Sequence, residues 1–419
     1  MQDNIDEFEI NAKKQELDNG LRVVIKDINS KIILSKLRVN WGIINEKEEE
    51  RGFSHILEHW IMGNNTNGDI KYRVIDLNAI TKLDRTEFNA EIVKDDVEAY
   101  FQWLSKIFCP SFNEDILKLE KKRIMEEEEV VKREAKYFFK IKDIIYRGHP
   151  KGIVPFKNKR DINQITAEEL KKFYKRGYYP ANMDLILVGS IPRGIEKKIK
   201  EHFGGYKSSL ERAPPYIFPE LEELPEKILI YEEISGAKKE DKTAGISLHF
   251  IITKQDKLTD YSAALLSFLL GNPSNSILFN ELSLNRGLTY SVCGNYNSDY
   301  NAREFKIMTE VCAKRVDEAL DIIFKEIDNL KKREIDNGVL SLVKRNLRNR
   351  IFRKTNSLEG YMYLIEAEMD SENTIKEHLE RLEEVDTRKL LEAANKYLPD
   401  RDKGKYLLLI EEELKKKNG

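Results

Sequence analysis

Two histidines stand four residues apart, with a glutamate between them, in His55-Ile56-Leu57-Glu58-His59. On a helix, residues at i and i+4 share a face, so the two imidazoles would project side by side. Neutral imidazole nitrogen is a preferred zinc ligand, and such a pair supplies two adjacent corners of a tetrahedron with little rearrangement. Glu58 lies beside them, where a carboxylate can accept a proton from water acidified by the metal and pass it to a leaving amine. The order His-x-x-Glu-His inverts the commoner His-Glu-x-x-His. With six histidines in the chain, composition alone would produce this pentapeptide on the order of one time in a hundred. The plain alternative is two surface histidines and a solvated glutamate on one helix.

A catalytic zinc takes three protein ligands and leaves the fourth place to water. The stretch Glu120-Lys-Lys-Arg-Ile-Met-Glu126-Glu127-Glu128-Glu129 offers carboxylates for the third. Glu120 and Glu127 are two helical turns apart and share a face, with Ile124 between them. Read alone, a run of four glutamates is a solvated helix face, so Glu126, Glu127 and Glu128 all remain candidates at this point.

These groups need elements to position them. The apolar pattern from Phe53 to Met62 predicts a helix carrying the pentapeptide, and helical periodicity continues over 115–137 and 319–352. Ile33, Ser35, Leu37, Val39 and Trp41 alternate with mostly polar neighbours, as does 245–252, while 183–188 and 406–410 read as buried strands late in each half. Pro214, Pro215, Pro219 and Pro225 among charged residues mark 207–226 as a linker. The chain is therefore expected to comprise a domain at 1–206, the linker 207–226, and a related domain at 227–419 without a metal motif. The fold class is α+β: two similar sandwich domains, each a mostly antiparallel sheet with helices packed on it, the product of a duplication.

With 419 residues and 41% hydrophobic content, each half can bury a core. Lys plus Arg (71) nearly cancels Asp plus Glu (73), which gives no electrostatic case for nucleic acid or a membrane surface as partner. No apolar run approaches a membrane span, and the acidic first residues are unlike a signal peptide, so a cytoplasmic location is expected. Cys109, Cys293 and Cys312 are odd in number and widely spaced, which fits reduced core thiols better than a disulfide framework or a thiolate metal site.

The chain resembles the insulysin, pitrilysin and mitochondrial processing peptidase family, the inverzincin metallopeptidases. Leu17-Asp18-Asn19-Gly20-Leu21-Arg22-Val23-Val24 is similar to the family's opening strand and turn, and Gly52 to His59 to its metal helix. Asn78-Ala79-Ile80-Thr81 with Arg85-Thr86-Glu87-Phe88 is similar to the strand pair that follows. His149-Pro150, Ile165-Thr166, Phe173-Tyr174, Tyr179-Pro180-Ala181-Asn182-Met183 and Val188-Gly189 extend the likeness over nearly the whole first half. The resemblance implies that zinc is held by His55, His59 and Glu127, with Glu58 as general base and Glu120 supporting the ligands from behind. It also implies that an extended peptide adds to a sheet edge at Asn78, Ala79 and Thr81, with Tyr290 of the second half contacting the substrate.

Two departures from that pattern stand out. Glu127 follows His59 about eight residues sooner than the family spacing, a gap that falls between Asn64 and Asn78, with Asn64 to Gly68 as a turn before a shortened helix. In Phe279-Asn-Glu281-Leu-Ser283-Leu-Asn-Arg286-Gly-Leu-Thr-Tyr290, the family's substrate-binding arginine is replaced by Ser283, and Arg286 is three residues out of phase. A serine hydroxyl cannot do the work of a guanidinium fork. The implied protein is thus a zinc-dependent endopeptidase, the catalytic subunit of a heterodimer whose related partner chain brings the missing arginine. A homodimer is the runner-up arrangement. A non-catalytic core or presenting subunit, or a peptide-binding module without turnover, are the readings from other classes.

Overall fold

The period-2 stretches pair into two mixed sheets. The structure, a computed structural model, describes residues 5, 8–65, 69–134, 136–153, 162–207, 211–237, 243–272 and 275–415. In the first half the strands are β1 (Lys13–Glu16), β2 (Arg22–Asp27), β3 (Ile32–Val39), β4 (Asp76–Thr81), β5 (Thr86–Val93) and β6 (Met183–Gly189). The second half holds β7 (Ile228–Ala237), β8 (Thr243–Ile251), β9 (Val292–Asn297), β10 (Glu304–Cys312) and β11 (Leu407–Lys415). Helices of the first half are α1 (Phe53–Asn65), α2 (Ile70–Arg73), α3 (Val97–Ser105), α4 (Glu114–Glu134), α5 (Lys136–Ile145), α6 (Ala167–Gly177) and α7 (Ile195–Phe203). Those of the second are α8 (Thr259–Gly271), α9 (Val316–Lys332), α10 (Asn337–Lys354), α11 (Leu358–Met369), α12 (Ile375–Glu383) and α13 (Thr387–Tyr397).

The first sheet runs β1-β2-β6-β3-β5-β4 and the second β7-β11-β8-β10-β9. Without β1 the two orders correspond strand for strand. In each, one parallel pair, β2 with β6 or β7 with β11, is followed by antiparallel neighbours. The expected architecture of two similar, mostly antiparallel sheets with packed helices is what the chain adopts.

One long helical stretch is interrupted where a single helix was expected. The 319–352 pattern divides into α9 and α10, because Asp336 accepts hydrogen bonds from the backbone N–H groups of Gly338 and Val339 and starts a new helix there. Over 115–137 every described residue is helical, in α4 and the start of α5, and residue 135 lies outside the described residues. Asn64 and Asn65, expected in a turn, complete the last turn of α1; the rest of that expected turn, 66–68, lies outside the described residues. The shortened helix after it is the four-residue α2.

Each sheet buries one face under helices of its own half. In the first half Leu21, Val23, Ile33, Leu37, Phe88 and Leu185 meet Ile56, Trp60, Phe101, Leu170 and Phe203. The opposite faces are covered by exchange. Met362, Leu364 and Ile365 of α11 pack with Ile375 and Leu379 of α12 on Val24, Leu34, Ile186 and Val188 of the first sheet. In return Ile141, Ile144 and Ile145 of α5 pack on Ile230, Ile251, Leu407 and Leu409 of the second. A mostly apolar sheet face cannot be left to water, and here each half closes the other's.

The proline-rich segment contains neither helix nor strand over 211–227, yet it is tied down at both ends. Arg212 binds the buried carboxylate of Asp184 (2.9 Å), and Leu221 and Leu224 are buried against the second sheet. Among the described residues no helix is long and apolar enough to cross a membrane.

Candidate metal centre and catalytic groups

Helix α1 is fixed by the face opposite its histidines. Phe53, Ile56, Leu57, Trp60 and Ile61 are all buried, and at about 1.5–3 kcal/mol for each such side chain this burial outweighs any single polar contact of the helix. The Trp60 indole N–H donates to the Asn113 carbonyl (2.6 Å). The remaining face carries His55 and His59, their rings 4.7 Å apart and nearly perpendicular (81°).

Helix α4 crosses α1 closely because of one glycine. A Cβ on Gly63 would lie 2.7 Å from Glu120 Oε1 and 2.9 Å from Ile116 Cγ2, so any larger residue would displace those side chains. The close approach places Glu120 Oε2 3.3 Å from His59 Nδ1, while Arg123 donates to Glu120 Oε1 (2.6 Å). Glu120 is buried, and Ile124 is fully buried in the core between it and Glu127. With Nδ1–H donating to Glu120, the lone pair of His59 sits on Nε2 and faces outward.

Glu127 Oε2 stands 3.5 Å from His59 Nε2 and 3.7 Å from His55 Nε2. A tetrahedral zinc with bonds of about 2.0–2.2 Å sets its ligand atoms about 3.3–3.6 Å apart. The three groups can each offer a ligand atom with all three atoms within 4.8 Å of one another, so the donor set fits that ion in type and spacing. Burial, and then the neighbouring His59, depress His55 to about 4, which leaves its ring neutral at physiological pH. The side chains of His55, His59 and Glu127 are 27%, 17% and 51% exposed, so water reaches the group. The shortened spacing from His59 leaves Glu126 and Glu128 open as alternatives, while seven-residue phase with Glu120 favours Glu127; the Glu127 carboxylate stands beside both imidazoles.

Glu58 is buried next to this group, and its Oε2 accepts a hydrogen bond from the Thr81 hydroxyl (2.8 Å). Burial raises its pKa above the ordinary carboxylate range; the Thr81 bond and His59 oppose the rise, and the charge of Glu127 adds to it. Thr81 ends β4, the edge strand of the first sheet, whose outward backbone groups face no other strand among the described residues. The alternation in β4 turns Leu77, Ala79 and Thr81 inward and Asp76, Asn78 and Ile80 outward. Asn78 is held by Asn89 (3.1 Å) and donates to Asp76 (3.0 Å).

Tyr290 of the second half is almost fully exposed, at 96%. Ser283 lies in a π-helical turn, Phe279–Leu284, and Arg286 is paired with the Glu281 carboxylate and carbonyl.

Sequence reasoning missed Glu46. It is buried, and accepts from the backbone N–H of Gly52 (3.0 Å) and Ser54 (2.7 Å), capping α1 through space. Nothing local marks it, since the cap is not adjacent in sequence to the helix. Burial pushes this carboxyl up to about 7 from 4.5, against the lowering effect of the two N–H groups and Arg51. A raised folded-state pKa means that the folded protein holds the proton more tightly than the unfolded chain. The stability from this group is fully present below pH 4.5 and is lost as pH rises toward 7. Thermal melts of Glu46→Gln are expected to lack this fall, worth on the order of 3 kcal/mol in the parent. Parallel melting curves across that range would rule it out.

A family model described as insulinase (peptidase family M16) matches residues 22–154, and one described as the peptidase M16 inactive domain matches 164–347. A Bacillus subtilis protein described as the uncharacterized zinc protease YmxG is 22% identical over 365 residues, covering 84% of this chain and 86% of that protein. A protease from Helicobacter pylori superimposes with a TM-score of 0.76 at 19% identity, over 96% of this chain and 99% of its own. The ferredoxin protease FusC, solved as a mutant in complex with Arabidopsis ferredoxin, gives a TM-score of 0.67 at 17% identity, over 96% of this chain but 47% of its own.

Proposed function

The chain belongs to the insulinase (M16) family of peptidases, and from that membership we propose that it is a zinc-dependent endopeptidase acting on peptides or short unfolded polypeptides. The observation that carries the proposal is the triangle of His55, His59 and Glu127 with the buried Glu58 beside it. His55, His59 and Glu127 would hold the zinc, and Glu120 would fix the tautomer and orientation of His59. Zinc, when bound, supplies Lewis-acid polarisation of the scissile carbonyl and acidifies water. An extended peptide pairs with the outward edge of β4 along Asn78 and Ala79, so main-chain hydrogen bonds set its register beside Glu58. Glu58 accepts the proton of the attacking water and returns it to the leaving nitrogen. Thr81 keeps the Glu58 carboxylate aimed, leaving its other oxygen for the water.

We assign the enzyme to the catalytic side of a two-chain assembly. Ser283 stands where a substrate-binding arginine is expected, Arg286 is engaged by Glu281, and Tyr290 points into solvent, where it can meet another protein. The partner is a related chain that supplies an arginine-tyrosine pair; a second copy of this chain would supply Tyr290 without the arginine. The three cysteines are not the core thiols expected, since Cys109 and Cys312 are exposed and Cys293 is half-buried; as free thiols they support a reducing compartment, the cytoplasm, as the place of work.

The test is a digest of a mixed peptide library by the zinc-loaded protein, alone and with a co-purified related chain. Cleavage is expected to be slow alone, to rise by about tenfold or more with the partner, to stop on chelation and to return with zinc. Full activity of a monomer or homodimer removes the partner, and zinc binding without cleavage in any mixture removes the peptidase.

A further inference from the structure

The β4–β5 hairpin that carries Thr81 is gripped from two directions. From its own half, the N–H groups of Ile43 and Ile44 donate to the carbonyls of Lys82 (3.2 Å) and Leu83 (2.8 Å). From the second half, the Tyr300 hydroxyl donates to Asp84 Oδ1 (3.0 Å), and Arg85 binds Asp370 just beyond α11 (3.1 Å). Asp370 also binds Arg38, a buried residue of β3.

The turn presenting Tyr300 is strained. Tyr300 and Asn301 both have φ of +59°, a region that non-glycine residues rarely adopt, and here two occur in succession. Such a conformation persists only when its surroundings over-determine it, and these do. The Phe218 ring packs 4.7 Å from that of Tyr300, Asn301 Nδ2 donates to the Phe218 carbonyl (2.8 Å), and His149 Nε2 reaches the Tyr300 carbonyl (3.1 Å). The result of that strain is a hydroxyl held against the tip of a hairpin whose Thr81 touches Glu58.

Resting on the peptidase reading above, we infer that Tyr300 and Asp370 are positioning residues. The second half sets the aim of Glu58 by clamping the hairpin through Asp84 and Arg85, with Thr81 as the transmitting contact. Docking of the two halves is thereby linked to the competence of a base that the first half alone contains. Neither residue touches substrate; both act through Thr81.

The zinc-loaded full chain tests this by a double-mutant cycle. Tyr300→Phe removes the hydroxyl and keeps the ring, and is expected to lower kcat about tenfold with KM and zinc content little changed. Asp84→Asn, which weakens the same bond from the other side, should match it. Thr81→Val should lose at least as much and Thr81→Ser should recover. Combining Tyr300→Phe with Thr81→Val should cost no more than Thr81→Val alone. Losses that multiply, or a Tyr300→Phe enzyme with parental kcat, overturn the clamp. Hydrogen exchange across 76–86 gives a readout that needs no turnover: faster exchange in Tyr300→Phe is expected, and parental protection overturns the clamp. A parent without Glu58-dependent cleavage defeats the peptidase reading alone, and exchange still decides the clamp.

Discussion

Glu58→Gln is expected to lower peptide turnover by about a hundredfold to ten-thousandfold, the range general-base removal commonly shows, while the protein keeps its zinc. The substitution is close to isosteric, and its amide oxygen can still accept the Thr81 hydrogen bond that the carboxylate accepts at 2.8 Å. What it loses is the ability to take a proton. Burial holds Glu58 above the ordinary carboxylate range, which brings it nearer the pH at which a base both exists in the right form and binds a proton usefully. The measurement is steady-state cleavage paired with metal analysis of the same preparation. Unchanged turnover would move the base elsewhere, and loss of zinc would make Glu58 structural.

His59→Ala is expected to release the metal. This ring is the centre of the arrangement: its Nε2 faces Glu127 at 3.5 Å and its Nδ1 faces Glu120 at 3.3 Å. Its removal takes away one ligand and leaves the Oε2 of the buried Glu120 without its imidazole partner, with Arg123 still on Oε1. Zinc affinity should therefore fall by more than the about 10- to 100-fold that loss of a supporting partner costs, and Glu120→Gln should show that smaller loss. Glu127→Ala should resemble His59→Ala, whereas Glu126→Ala should leave zinc in place, because only the 127 carboxylate stands between the imidazoles. Stoichiometric zinc in His59→Ala after dialysis would sink the ligand assignment. The two experiments divide the site: the first removes chemistry and spares the metal, the second removes the metal.

How much of this was written in the chain depends on the range of the interactions involved. His55, Glu58 and His59 were legible because a helix repeats every 3.6 residues, and spacing within two turns fixes which side chains share a face. The same rule ranked Glu127 ahead of its neighbours by phase with Glu120. Strand alternation and the proline-rich segment likewise gave the two α+β halves and their strand content, since a buried sheet face imposes its period on the residues that form it. Periodicity failed where a local cap competed with it. Nothing in the apolar pattern of 319–352 shows that the Asp336 side chain ends one helix and begins another.

Tertiary structure decided the rest. Glu46 caps α1 from a preceding loop, Gly63 lies against Glu120 and Ile116 of α4, and Thr81 at the end of β4 holds Glu58. The exchange of helices between the halves and the contact of Tyr300 with Asp84 join positions that only folding makes neighbours. A sequence by itself determined the donor set and the elements that carry it, because those follow from backbone periods of a few residues. How the elements approach, and so which carboxylate is buried, which hydroxyl aims it and which half holds the hairpin, follows from packing between surfaces far apart in the chain, for which no local pattern exists.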